Sequence, residues 1–219
     1  MILHFDAQVF LISLIVIVLS IALHEFGHAI AADRLGDPGP RADGRVTLWP
    51  DKHFEPVGFI MIVVTLIYGF GLGWGKPVVV NRRAFRNPQR DMIIVTACGP
   101  LMNLILALLF GCLLRFLMAR QGIDPGSYYT WIQESVWLQV ANYFILINLA
   151  LMFFNFIPIP PLDGSKILAG VLPYDLADRY ERFMAQWGLL ILMLVVFFAA
   201  GAILEPAVNN AMAALLGVR

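Results

Sequence analysis

Charge is scarce in this sequence. Of 219 residues, 14% are Asp, Glu, Lys or Arg, against about 25% in an ordinary soluble domain. Fifteen basic residues cancel fifteen acidic ones, which leaves no excess of positive charge and no basic face to hold a nucleic acid. Cysteine is rarer still, with Cys98 and Cys112 in one apolar run. Fourteen residues along a single helix set them about 21 Å apart, too far for a disulfide, and that spacing argues against a metal site at either. Internal repeats and low-complexity tracts are also missing. What is abundant is apolar side chain, 60% of the total, in long unbroken runs. Alternating runs would suggest a barrel; these indicate an all-α polytopic membrane protein.

The runs divide the chain simply. Ala7 to about Ala32 reads as a first span. The start, Met-Ile-Leu-His-Phe-Asp, has no basic region of the kind that opens a signal peptide, so the span is expected to be retained. The loop Asp37–Pro56 follows, rich in Pro and Gly, in which Arg45–Trp49 suits a short strand. Met92–Leu114, Val136–Ile157 and Trp187–Leu204 complete four clear spans, and the tail Pro206–Arg219 suits a short surface helix. All 219 residues read as one domain, with a core over about 7–165, a further span at 187–204 and a tail at 206–219.

The segment Val57–Gly75 decides the topology, being apolar but broken by Gly58, Gly69, Gly71, Gly73 and Gly75. If it crosses the membrane, Lys and Arg divide evenly between the two sides. If it does not, twelve of the fifteen fall on one side, a strong positive-inside signal. The expectation is therefore a re-entrant or interfacial segment, with the loops flanking it on the cytoplasmic side. Arg82, Arg83, Arg86 and Arg90 then meet anionic lipid headgroups of the bilayer.

Near the end of the first span stands His24-Glu25-Phe26-Gly27-His28. Histidines four apart share one helical face, one turn apart, where two imidazoles hold a zinc ion while the intervening glutamate works on bound water. From Val9 to Leu23 there is no charged residue. Ionisable groups in such a run are costly and need partners, which a metal supplies. A catalytic zinc usually takes a third protein ligand. His4 lies at the opposite end of the span and His53 in the first loop. Asp163, in Asn155-Phe-Ile-Pro-Ile-Pro-Pro-Leu-Asp163-Gly164, is the better candidate, although Asp-Gly after prolines also suits a plain turn. Asp163 can join the histidines only if an odd number of crossings separates them. A re-entrant Val57–Gly75 satisfies this.

Taken together, the HEFGH in a span, the later Gly99-Pro100-Leu101-Met102-Asn103, and the Asn155–Gly164 stretch resemble the site-2 protease family of intramembrane zinc metalloproteases. The likeness runs from about Ser20 to Ser165, in the order that family uses. It implies one Zn2+ per chain on His24, His28 and Asp163, with Glu25 as catalytic base and the site towards the cytoplasm. It also implies a transmembrane protein as substrate. Extended backbone around Phe156–Leu162 is expected to pair with an unwound substrate. Asn155 is a candidate to hydrogen-bond it, or equally a polar helix contact, as Asn103 and Asn148 are expected to be. His53 is a candidate for oxyanion stabilisation or gating, or else a solvated loop residue. Tyr68–Gly75 is a candidate substrate path. The alternative is a metal-binding membrane protein without hydrolysis, a transporter or pseudoprotease; a soluble-peptide hydrolase is a third possibility. A compact chain of this kind is expected in a prokaryotic plasma membrane.

Overall fold

The computed structural model describes residues 6–69 and 71–218; His4 and Phe70 lie outside them. Among the described residues the secondary structure is entirely helical. Helix α1 (Ala7–Leu35) opens on Asp6, whose carboxylate accepts from the amides of Gln8 and Val9, and stops at Gly36 in the left-handed region. Its 29 residues measure about 43 Å, enough to cross a hydrocarbon core of about 30 Å and emerge. Helix α2 (Gly39–Ala42) is a single turn. Helix α4 (Pro88–Gln121), capped by Asn87, is the second long helix, and α6 (Val136–Asn155) the third. Between them α5 (Tyr128–Ile132) sits with Tyr128 and Trp131 fully buried under the bundle end.

The segment that decides the topology doubles back on itself. Helix α3 (Pro56–Tyr68) has only 13 residues, about 20 Å, too short to span. Gly69 takes φ of 77°, and the chain then doubles back along the helix. A Cβ on Gly58 would lie 2.0 Å from the Trp74 carbonyl oxygen, and one on Gly73 would lie 2.2 Å from Ile62. Neither glycine therefore has room for a side chain where helix and returning strap touch. The Lys76 amide donates to the His53 carbonyl at 2.8 Å, closing the excursion where it began.

Four expectations about elements need correction. Arg45–Trp49 is not a strand, because its polar groups are engaged across the loop and no neighbouring edge is there to pair with. Phe156–Leu162 is not extended; its amides turn inward, with Ile159 bonding to Ile157 and Leu162 to Ile159. The last span starts earlier than Trp187: helix α8 (Tyr174–Leu194) begins in a charged turn and runs on through a wider π turn to residue 199. The tail is not a separate surface helix either. Helix α9 (Ala200–Leu216) carries Pro206 within it, and Val208, Met212 and Leu216 are buried against Leu114 of α4 and Ile145 of α6. A row of apolar side chains at helical spacing is better covered by the bundle than left outside.

Helices α1, α4 and α6 form the centre. α1 and α4 approach closely enough that a Cβ on Gly27 would meet the Cys98 carbonyl oxygen at 2.6 Å. The remaining helix, α7 (Asp163–Val171), packs beside α4 and carries the last element of the site.

Candidate metal centre

His24 and His28 project from α1 towards α4, and each ring is fixed from behind. His24 Nδ1 lies 2.7 Å from Asn103 Oδ1, and His28 Nδ1 lies 2.9 Å from the Val95 carbonyl oxygen. Both of those partners accept, so Nδ1 carries the proton on each ring and the Nε2 lone pairs are left to face outward. The Asn103 amide has its orientation set in turn, since Nδ2 donates to Asn148 Oδ1 at 2.8 Å. Asn148 Nδ2 donates to Ser20 Oγ at 2.8 Å and to the Phe144 carbonyl. This seam joins α1, α4 and α6 and is fully buried.

Asp163 comes from the first turn of α7, delivered by the compact turn after α6. A Cβ on Gly164 would lie 2.3 Å from the Phe156 carbonyl oxygen, so glycine lets the turn fold tightly enough to aim Asp163. Its Oδ2 lies 3.1 Å from His24 Nε2 and 3.1 Å from His28 Nε2, and the two Nε2 atoms are 3.1 Å apart. The rings stand nearly perpendicular, at 88°.

These three atoms fit a tetrahedral zinc. Bonds of about 2.0–2.1 Å give ligand edges of about 3.3 Å, close to the triangle observed. Oδ2 is buried and accepts no well-directed hydrogen bond, although two imidazoles lie within 3.1 Å. The donors thus converge on a point rather than bond to each other, and a buried carboxylate oxygen with no such partner is costly. Room for the rings is made by Gly99, where a Cβ would lie 2.4 Å from His28 Nε2 and 2.7 Å from His24 Nε2. Lys166 Nζ stands 3.7 Å from Asp163 Oδ1.

Glu25 faces the same cavity, of about 440 Å³, with Asn155 and the strap residues Gly73–Gly75, Pro77 and Val78 also in its lining. Its Oε2 accepts from the Val78 amide at 2.9 Å. The strap is itself held from outside. The buried Arg45 guanidinium donates to the Lys76 carbonyl and lies 3.4 Å from His53 Nδ1, while His53 Nε2 donates to the Thr47 carbonyl at 2.9 Å. Burial lowers the His53 pKa; the Thr47 bond opposes this and the Arg45 charge adds to it.

The structure therefore gathers His24, Glu25, His28, Asp163 and Asn155 around one cavity, and the Asn155 amide donates to the Leu151 carbonyl at 3.0 Å. It places His53 behind the strap with both ring nitrogens engaged, away from that cavity. Of the glycine-rich stretch, Gly73, Trp74 and Gly75 do line the cavity. Sequence reading missed the support given by Val78, Arg45 and the Val95 carbonyl. The signal for the Asn103–Asn148 seam was present as two amides inside apolar spans.

The model of Peptidase family M50 matches residues 79–195. The chain is 34% identical over 198 residues to the Bacillus subtilis protein named "Putative zinc metalloprotease YwhC", covering 89% of this chain and 84% of that one. It is 32% identical to "Putative zinc metalloprotease Rip2" of Mycolicibacterium smegmatis, over 88% of this chain and 66% of that one. With "Putative zinc metalloprotease MJ0611" of Methanocaldococcus jannaschii the identity is 31%, over 75% and 73%. The chain thus spans about two thirds of the length of the Mycolicibacterium relative. No solved structure matches it. With four helices able to cross a membrane and a buried His24–His28–Asp163 group, the chain belongs to peptidase family M50, the zinc metalloproteases of site-2 protease type.

Proposed function

We propose that the chain is an intramembrane endopeptidase that holds one zinc ion per chain on His24, His28 and Asp163 and hydrolyses transmembrane segments near the cytoplasmic face. The observation that carries this reading is the convergence of three buried donor atoms from α1 and α7, with Glu25 beside them, in a bundle whose first helix carries no charge from Val9 to Leu23. Zinc in such a site lowers the pKa of bound water and polarises a carbonyl. Glu25 takes the proton of the attacking water and passes it to the leaving amine, and the Val78 amide fixes the oxygen that does not carry the proton. Asn155, on the cavity wall, binds the substrate backbone once the segment has unwound.

The short, doubled-back α3 supports an orientation as well. With that segment returning to its own side, twelve of the fifteen Lys and Arg lie with the site, which supports cytoplasmic placement. The relatives named are all prokaryotic, which supports a prokaryotic plasma membrane. The test is a model transmembrane substrate in proteoliposomes. Glu25→Gln is expected to abolish cleavage with zinc retained, and Asp163→Ala to lose zinc. Cleavage by Glu25→Gln, or zinc flux independent of Glu25, would sink the reading.

A further inference from the structure

A second cleft, of about 580 Å³, opens beside the metal cavity, and the two share Met92 and Lys166 in their walls. Its floor is the contact between α4 and α7. Gln89 Nε2 donates to the Gly170 carbonyl at 2.8 Å, and a Cβ on Gly170 would lie 2.5 Å from Ile93. Its far wall is the first turns of α8, which Tyr180 ties to the Asp163 turn by donating to the Pro158 carbonyl at 2.9 Å. Helix α7 is a ramp between the two spaces. Asp163 at its start faces the metal cavity, and Gly170 and Leu172 at its end line the cleft. The rise along it is about 13 Å, which an extended chain covers in about four residues.

The charges lining the cleft are mixed. Arg82 and Lys166 stand against Asp178 and Glu181 of α8. Lys166 is offset by Asp163, and Asp178 by Arg182 at 2.5 Å. A phosphate or a lipid headgroup is drawn to a cleft that is basic throughout; a charge-balanced one with a part-apolar lining suits polypeptide of mixed sequence.

We infer that this cleft is a subsite for the polar flank of the substrate, taking the residues about three to six positions from the scissile bond as they leave the metal cavity. The inference rests on the endopeptidase reading and deepens it. The enzyme would then engage its substrate at two places, the unwound membrane segment at the metal and the water-exposed flank beyond it. The flank enters along α7 and is confined between α4 and α8.

Two measurements on the full chain test this. In the Glu25→Gln form, a photo-cross-linking residue at Ala177, which lines the cleft, is offered a model transmembrane peptide carrying an eight-residue polar flank in phosphatidylglycerol-containing vesicles. The expected adduct is to flank residues three to six from the bond cut by the wild-type chain; adducts to lipid alone would overturn the inference. In the active chain, Ala177→Trp is expected to raise KM by about tenfold for the full-flank substrate. Cutting the flank to two residues is expected to raise it similarly, the two changes together costing little more than either alone. Full additivity would overturn the shared site. If the wild-type chain cleaves nothing while the flank adduct forms, the endopeptidase reading falls and the cleft stands.

Discussion

His24 and Glu25 are adjacent in the chain but are held by different kinds of structure. The imidazole is fixed from inside the bundle, by Asn103 and then Asn148 and Ser20, through amides that sit on helices and are sealed from water. The carboxylate is fixed from outside, by the Val78 amide of an irregular strap. The strap in turn depends on Arg45 and His53 in a loop. Helix-borne supports lose little to fluctuation, whereas a strap with few regular hydrogen bonds belongs to the part of a fold that opens first. The supports of His24 and of Glu25 are thus separate, and each is expected to be open to disturbance with the other left intact.

The strongest break on the inner side is at Gly99. Gly99→Val puts atoms where the two imidazoles lie, and zinc affinity is expected to fall by about 100-fold or more. Zinc content of the purified chain reads this directly, and full occupancy would show that the rings have slack the structure denies. Asn103→Leu removes the acceptor that sets the His24 tautomer and leaves Asn148 short of a partner. Its expected cost is about 10–100-fold in zinc affinity, measured by competition with a chelator. An unchanged affinity would mean that the seam serves assembly alone.

On the outer side, Arg45→Met unties the Lys76 carbonyl and His53 from their common donor. Cleavage is expected to slow by about tenfold, in line with the loss of a charged hydrogen bond, with zinc content unchanged. Loss of zinc in this variant would erase the separation of the two regions. The smallest effect concerns pH. His53 has its pKa lowered in the folded chain from an ordinary 6.5, so its stabilisation of the strap is complete above that value and is lost as pH falls through the folded one. Amide exchange at residues 73–80 is expected to quicken by less than about tenfold between pH 7.5 and 5, beyond the intrinsic pH dependence. The His53→Gln variant should lack that extra change, and identical profiles would remove His53 from the strap.

Much of the inner region was legible because its logic is local. An i, i+4 histidine pair in an uncharged run announces both a helix face and a need for partners, and the distribution of Lys and Arg favoured a segment 57–75 that does not cross. Asp163 could be chosen because parity of crossings and a ligand count bore on it together. The outer region was not legible for the opposite reason. Val78 contributes through its backbone amide, which any residue there but proline would offer. Arg45 matters through a carbonyl 31 residues along, and His53 through its contact with Arg45. The turn at 156–162 was misread as extended because prolines forbid a helix without saying which non-helical path is taken. The tail was misplaced because its apolar face, Val208, Met212 and Leu216, was not matched to the partners that bury it.

The Ser20–Asn148–Asn103 seam also fixes when the site can first exist. A growing chain that has threaded α1 and α4 into the membrane already holds both imidazoles, but Asn148 and Asp163 are still to be made. Until α6 arrives, Asn103 has no Asn148 carbonyl to set its amide, and the histidines have no carboxylate to complete the triangle. The nascent protein therefore passes through the insertion machinery, among other unwound hydrophobic segments, before its cutting centre is assembled.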